Sequence, residues 1–517
     1  MFTKIKNWTY KNKIPAIIFC FVLFLLVFRV GYRTFWMDET MVLNYLHQGP
    51  IEFIIEYIRF PDNHPPLYYF LVLLVSKVLP WSELTIRFVS ILSGLGTVIL
   101  VYRFMYRITN EKKTASLASF FTGFSSYFVL ISQMARYHGL AGLSALLALY
   151  YFYRVYTEGF KKELWWRYLG ALMLTGYIDY PHFIYVVLIT NTLFLYQIVR
   201  KHSIISLKNW LIGNVCVAVV CSPLAWMLYH RIIIQGDGGW GDMNLLGNSW
   251  LSIIGGVFFH IYAYFFGENI FPWDYVIVGV GCTVLMGVFV GIIGFFRNKK
   301  ENKSYGLMIG LGIALIILNT LFMNKADARY NFTVYPKFGF IAYPIWIMIF
   351  VISLSRIQSK KIRNTLFVLW GIVELVGLTH FYRVENYLNP SYFRTFEAFQ
   401  YVENHSEDGD YVAITPDASQ GVYDFYQTTY FKKLKPLGWN GFQSSTIPAS
   451  TRVWFFSTSA DGSEESVATE SKIPVGYTII SQFDSVPLDP KFKMLKEKFL
   501  NRPSYTYKYT VFLLKKI

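Results

Sequence analysis

Apolar runs of span length, separated by short polar loops, set the pattern of this chain. A helix needs about 20 mostly apolar residues to cross a bilayer, and the windows Tyr275–Phe296 and Leu307–Met323 carry no charged side chain. Starting from a cytoplasmic N terminus, the pattern predicts about eleven spans, near 14–31, 86–106, 114–132, 138–156, 166–180, 182–199, 209–229, 274–296, 305–323, 333–354 and 364–382. Two apolar stretches read differently. The 14 residues from Pro66 to Leu79 reach only about 21 Å at 1.5 Å per residue, short of the ~30 Å hydrocarbon core, and are expected to form a juxtamembrane or re-entrant helix. Leu251–Phe266 is expected to lie flat on the membrane, because a crossing there would invert every later loop.

The basic residues support this topology. Arg103, Arg107, Lys112 and Lys113; Arg154, Lys161 and Lys162; Arg200, Lys201 and Lys208; Arg297, Lys299, Lys300 and Lys303; and Arg356, Lys360, Lys361 and Arg363 all fall on one face, as the positive-inside rule requires of cytoplasmic loops. Scattered in this way, a net charge of +16 does not form a nucleic-acid footprint. With 54% hydrophobic and 15% charged residues, composition excludes an ordinary soluble domain. The four cysteines, Cys20, Cys216, Cys221 and Cys282, lie inside apolar runs without metal-ligand spacing. The first run follows Lys4, Lys6, Lys11 and Lys13 and has no small-residue cleavage site after it, so it reads as a retained anchor.

The pattern changes near residue 384. Beyond it there is no span-length run, and strand-like pieces occur at Tyr411–Ile414 and Arg452–Phe456 after a helical stripe of Phe393, Phe396 and Phe399. The expected organisation is a membrane domain over 1–384, with a first external loop at 31–85, followed by an extracytoplasmic α/β domain over 385–517. No nucleotide loop, zinc spacing or nucleophile elbow occurs in the tail.

The same topology collects the polar groups on the external face: Asp38-Glu39, Asp62-Asn63-His64, Gln133–His138, Asp179–His182 and Lys325–Lys337. A carboxylate outside the membrane, beside arginines at helix ends, suits transfer of a sugar from a polyprenyl phosphate to a hydroxyl. The acceptor needs a general base, and the departing phosphate needs cations and hydrogen-bond donors. Nucleotide sugars are confined to the cytoplasm, so a lipid-carried donor is the natural supply.

Five segments carry a family resemblance: WMDE (36–39), DNHPPLYYF (62–70), RFVSILSGLGTVILVYRF (87–104), SQMARYHGL (132–140) and ARYNFTVYPKF (328–338). In content and order the chain resembles the GT-C glycosyltransferases over roughly residues 10–380, within the branch of protein O-mannosyltransferases and bacterial aminoarabinose transferases of lipid A. The tail resembles the soluble C-terminal domains of bacterial members. The resemblance implies an α-helical polytopic enzyme of the GT-C fold with about eleven spans plus juxtamembrane helices, in the bacterial cytoplasmic membrane, with its active site outside. It implies an inverting transfer of a monosaccharide to a hydroxyl on a protein, lipid A or a cell-surface glycan.

Carried over by residue, Asp38 is the expected base and Glu39 its supporting neighbour. A cap on the helix starting near Thr40 is the structural alternative for either. His64, where aminoarabinose transferases carry lysine and mannosyltransferases histidine, would contact donor phosphate or sugar, with Asp62 beside it; satisfying backbone groups before Pro65-Pro66 is its alternative. Arg136 with Tyr137, and Arg329 with Tyr330, would hold the phosphate, since a guanidinium pairs two phosphate oxygens and stays charged; snorkelling to headgroups is the alternative. Lys337 and His182, the latter next to Asp179, complete the donor set, with a flank anchor and a satisfied structural histidine as their alternatives. Arg87 reads as structural, paired with Glu83 or with lipid. No cofactor is required, and a divalent ion on Asp38, Glu39 and His64 stays open. Two rival functions remain: a ligase or polymerase using lipid-pyrophosphate glycans, and a lipid or solute transporter.

Overall fold

The computed structural model describes residues 12–31, 35, 39–200, 204–231, 250–297, 303–326, 335–383, 395–414, 425, 433–437, 439–443, 447–461, 473–484, 494 and 506–517. The helices are α1 Lys13–Val27, α2 Thr40–Tyr45, α3 Pro50–Arg59, α4 Leu67–Val78, α5 Glu83–Thr109, α6 Lys112–Gly123, α7 Ser126–Ser132, α8 His138–Glu158, α9 Lys162–Gly176, α10 Tyr180–Val199, α11 Leu207–Tyr229, α12 Trp250–Phe266, α13 Tyr275–Arg297, α14 Lys303–Ala326, α15 Tyr335–Phe338, α16 Ala342–Ser355, α17 Lys360–Arg383 and α18 Thr395–His405. Strands β1 Tyr411–Ile414 and β2 Lys435–Pro436, helix α19 Trp439–Gln443, and strands β3 Arg452–Asp461, β4 Tyr477–Asp484 and β5 Thr506–Lys516 follow.

The chain divides into two compact units, one of residues 1–28, 50–71 and 88–381, the other of 29–49, 72–87 and 382–517. Two segments expected in the membrane domain thus cluster with the tail.

In the first unit, α5, α10, α11, α13, α14 and α17 are long and apolar enough to cross a membrane. The run expected as one span at 114–132 is broken: α6 and α7 meet at a 65° bend, and counting them as one span makes seven. The other expected crossings fall on helices that are short, such as α1 and α16, or less apolar, such as α8 and α9. Helix α4 is 12 residues long, as short as its apolar run implies. Of the span windows, 22% of residues are buried in α13 and 61% in α5. The apolar side chains of α13 that remain uncovered, Met286, Phe289 and Val290 among them, form a lipid-facing flank.

Helix α12 packs its C-terminal half against neighbouring helices, while Ile254 and Phe258 stay exposed. Ala263, Tyr264, Phe265 and Phe266 are buried, and His260 Nε2 meets Asn319 Nδ2 of α14 at 2.8 Å while Asn319 Oδ1 accepts the Tyr185 hydroxyl of α10 at 3.0 Å. Polar groups this deep require such partners, and these tie three helices together.

The second unit contains a five-stranded sheet of order β2-β1-β3-β5-β4. Strand β1 runs parallel to β2 and β3, whereas β5 is antiparallel to β3 and β4. The period-2 alternation of β3 is legible in its neighbours: Val453 and Phe455 join Ala413, Phe442, Phe512 and Leu514 in one core, while Phe456 stacks on Phe399 of α18 and the Trp454 indole donates to Asp410 at 2.9 Å. Phe393 and the side chain of Phe396 lie outside the described residues. The expected α/β tail is present.

Candidate active site

Two loops, the start of α10 and one short helix bring six sequence-selected side chains of the first unit together. The α3–α4 loop supplies Asp62 and His64, and its path is fixed by the Tyr57 hydroxyl donating to the His64 carbonyl and by Arg231 Nε donating to Asn63 Oδ1 at 3.1 Å. The α7–α8 link supplies Arg136 and Tyr137. Gln133 opens this link and donates to the carbonyls of Leu25 and Leu26 at the end of α1, at 3.3 and 3.1 Å. The start of α10 supplies His182, and α15 supplies Lys337.

Arg136 is the centre of this group. It is buried, and its guanidinium donates to the Tyr69 hydroxyl at 3.3 Å and faces His64 Nε2 at 3.4 Å. A guanidinium has no acceptor, so Nε2 is the acceptor and the proton of neutral His64 sits on Nδ1. That nitrogen looks toward Asp179 Oδ1 at 3.9 Å, too far for a hydrogen bond. Burial, followed by the positive charges of Arg136 and Lys337, holds the His64 imidazole well below its ordinary value, so it is neutral at physiological pH. The ring lies 4.2 Å from that of Tyr137, which in turn lies 4.3 Å from His138.

At the start of α10, Asp179 is an N-cap whose Oδ2 accepts the His182 backbone N–H at 3.1 Å and faces His182 Nδ1 at 2.5 Å. Short polar residues favour this position because they satisfy an orphan N–H. The same carboxylate fixes the imidazole tautomer, with the proton on Nδ1. Among the described residues, Nε2 of His182 is buried without a hydrogen-bond partner, as are both ring nitrogens of His138. Buried polar atoms are normally paired; three bare imidazole nitrogens in one cluster mark a place built for something else to bind.

Glu39 lies in the second unit. It occupies the N-cap position of α2, yet its side chain makes no cap bond. Both its oxygens go to Arg87, with Nε–Oε1 and Nη2–Oε2 each at 3.0 Å, and the Arg87 guanidinium also donates to the Val30 carbonyl and lies 4.8 Å from the Phe35 ring centroid. Arg87 is therefore paired with Glu39, a partner beyond the expected Glu83 or lipid. Asp38, Arg329 and Tyr330 lie outside the described residues. Among the described residues no group of three or more His, Cys, Asp or Glu is placed to hold a metal ion.

One contributor escaped selection from sequence. His138 follows directly on Arg136-Tyr137, and its ring meets Phe338 beside Lys337 at 5.3 Å.

The chain is similar to several known proteins. Residues 63–226 match the dolichyl-phosphate-mannose-protein mannosyltransferase family. An uncharacterized protein of Aquifex aeolicus (strain VF5) is 23% identical over 369 residues, 69% of this chain and 67% of that protein. ArnT of Cupriavidus metallidurans, solved with bound undecaprenyl phosphate, aligns over 98% of both chains with a TM-score of 0.51 and 10% identity. The protein has the GT-C fold of multi-pass membrane glycosyltransferases. The family match covers residues 63–226, and the likeness to ArnT, at 10% identity, is one of fold.

Proposed function

We propose that the protein transfers a monosaccharide from a polyprenyl-phosphate donor to a hydroxyl acceptor on the external face of a bacterial cytoplasmic membrane. The observation that carries this reading is the buried cationic cluster of Arg136 and Lys337, set beside neutral His64 and the bare nitrogens of His138 and His182. Arg136 and Lys337 bring two buried positive charges to the place where an anionic phosphate would sit, and the imidazole nitrogens of His138 and His182 suit sugar hydroxyls. The likeness to ArnT bound to undecaprenyl phosphate supports a lipid phosphate as that anion.

In the proposed mechanism Asp38 takes the proton of the acceptor hydroxyl as its oxygen bonds to the anomeric carbon. The bond from that carbon to the phosphate oxygen breaks, its electron pair leaves with the phosphate, and the anomeric configuration inverts. Arg136, Arg329, Tyr330 and Lys337 would stabilise the departing polyprenyl phosphate, with His64 and Tyr137 in contact with it. His182, its tautomer held by Asp179, would accept from a sugar hydroxyl. Asp62 orders the loop that carries His64, its Oδ1 taking the Asn63 N–H at 2.5 Å. Glu39, committed to Arg87, would act as a positioning residue for the Asp38 segment.

The test is sugar transfer by purified protein in lipid from a panel of polyprenyl-phosphate monosaccharides, following released polyprenyl phosphate. General-base assistance is typically worth ~10²- to 10⁴-fold, so Asp38→Asn should lose that much of the release. Release that persists in this variant removes Asp38 as the base. Absence of donor consumption by the wild type across acceptors overturns the reading in favour of a lipid-pyrophosphate ligase or a transporter.

A further inference from the structure

Helix α10 starts at the donor cluster and runs to a second recess near its far end. The walls of that recess include Trp165 and Tyr168 of α9, Thr190 and Asn191 of α10, and Trp210 and Asn214 of α11. Asn191 lies nine residues beyond His182, about 14 Å along the helix at 1.5 Å per residue, so the recess is separate from the group around Arg136. Its polar groups divide into spent and unspent. The Tyr168 hydroxyl and Thr190 Oγ1 meet at 2.7 Å, and Thr190 Oγ1 donates to the Val186 carbonyl at 2.7 Å. The Trp210 indole, stacked on Phe194 at 4.8 Å, donates to Asn191 Oδ1 at 2.7 Å, and Asn214 Nδ2 donates to the Trp210 carbonyl at 2.9 Å. An indole only donates and a carbonyl only accepts, so these contacts fix both amides. Asn191 keeps its amide hydrogens, and Asn214 its oxygen, with no hydrogen-bond partner among the described residues.

Water does not normally fill that need at this depth. Helices α10 and α11 are both of span length, with only 39% and 28% of their span windows buried in the protein, and Leu195, Leu211 and Val215 on them are exposed. An amide facing hydrocarbon is costly unless something satisfies it. Asn214 stands seven residues in from Leu207 and Asn191 eight short of Val199, about 10 and 12 Å from the helix ends. Nearer the ends are the two indoles, a side chain that settles at bilayer interfaces. At the ends themselves stand Lys162, Arg200 and Lys208, exposed and with no acidic partner among the described residues.

Cation, indole, amide is also the order in which a phospholipid would meet them with its phosphate, its glycerol and its ester carbonyls. We propose that this recess binds the glycerol-phosphate end of an anionic glycerophospholipid, from the leaflet on the basic side of the protein. The phosphate lies among Lys162, Arg200 and Lys208, and an ester carbonyl accepts from Asn191 Nδ2. Asn214 Oδ1 takes a water, which carries the hydrogens that a second ester carbonyl requires. A zwitterionic lipid would bring an ammonium group to the same three cations and is disfavoured. The site does not depend on the sugar-transfer reading.

The experiment is native mass spectrometry of the full-length protein in detergent, titrated with phosphatidylglycerol and with phosphatidylethanolamine of the same acyl chains. Wild type is expected to hold phosphatidylglycerol about tenfold more tightly. Lys208→Gln and Arg200→Gln should each weaken it about fivefold, whereas Lys112→Gln, on α6 and outside the recess, should leave it unchanged. Asn191→Leu keeps every charge and should weaken binding about two- to tenfold. That variant also takes the acceptor from the Trp210 indole, so its thermal unfolding is measured alongside; if it does not fold, the two exposed cation variants decide. Equal retention of the two lipids by wild type, equal losses in Lys112→Gln and Lys208→Gln, or full retention in a folded Asn191→Leu would each overturn the site in favour of a diffuse basic surface. Displacement of phosphatidylglycerol by an equal amount of undecaprenyl phosphate would also overturn the assignment, because a polyprenyl phosphate has no ester carbonyl for Asn191.

Discussion

Two regions of the molecule bury charge in opposite ways. In the second unit, Glu39 and Arg87 close on each other through two 3.0 Å hydrogen bonds, with the Val30 carbonyl and the Phe35 ring completing the shell of the guanidinium. In the first unit, Arg136 and Lys337 lie among imidazoles that keep bare nitrogens. A satisfied pair has no capacity left for a ligand, so its role is to hold a segment in place. The bare imidazole nitrogens of His138 and His182 carry a standing cost of desolvation that a bound hydroxyl would relieve. The contrast separates a charge that positions from a charge that receives, although both are equally hidden from solvent.

The largest expected effect comes from breaking the satisfied pair. Arg87→Ala should leave Glu39 buried and uncompensated and destabilise the protein by about 3–5 kcal/mol, read by thermal unfolding in detergent. Replacing both partners at once, Glu39→Leu with Arg87→Met, should recover most of that loss, because well-packed apolar residues often replace a buried pair at little cost. Recovery would establish the pair as architecture, and a double variant as unstable as Arg87→Ala would count against it.

A smaller effect, on function rather than stability, is expected from the receiving cluster. Arg136→Gln should lower kcat/KM for the lipid donor by about 10- to 150-fold, matching ~1.5–3 kcal/mol for hydrogen bonds to a charged group, with far less change in unfolding than Arg87→Ala. Equal losses of stability in the two variants would erase the distinction drawn above.

The smallest effect concerns His64. Its imidazole is held well below the ordinary value by burial and then by Arg136 and Lys337, so the folded protein binds fewer protons here than the unfolded chain does. The stability this contributes is present above about pH 6.5 and is lost as pH falls below it, at no more than ~1.4 kcal/mol per pH unit. Wild type and His64→Asn should diverge in unfolding temperature only on the acid side, and parallel curves down to pH 5 would remove the assignment.

Much of the architecture was readable from residue order because the forces involved are local. Twelve residues of α4 match a run too short to span, and β1 begins and ends where its apolar piece does. The bend between α6 and α7 was not readable, since it falls at Phe124-Ser125 inside a run whose hydropathy barely changes, and a Cβ on Gly123 would lie 2.3 Å from Val22 of α1. That approach depends on a neighbour over a hundred positions away. The site divides in the same manner. Arg136, His64 and Lys337 stand in distinctive motifs, whereas the Glu39–Arg87 pair spans 48 positions and nothing near Arg87 favours Glu39 over Glu83. The Asp179–His182 pair sits at i, i+3 around a helix start, a spacing that a reading alert to N-caps could have taken as a bond.

The second unit is assembled from three separate stretches, 29–49, 72–87 and 382–517. Phe425 packs against Phe35 at 5.0 Å and against Trp81 at 6.1 Å, so its core is shared between the tail and the two earlier pieces. Such a unit is not a cassette. A recombination event that replaced the sequence after residue 384 alone would bring in a tail selected against someone else's Phe35 and Trp81. Grafts between relatives should succeed only when all three stretches travel together, and substitutions at 35 and 81 should be inherited as a set with those around 425.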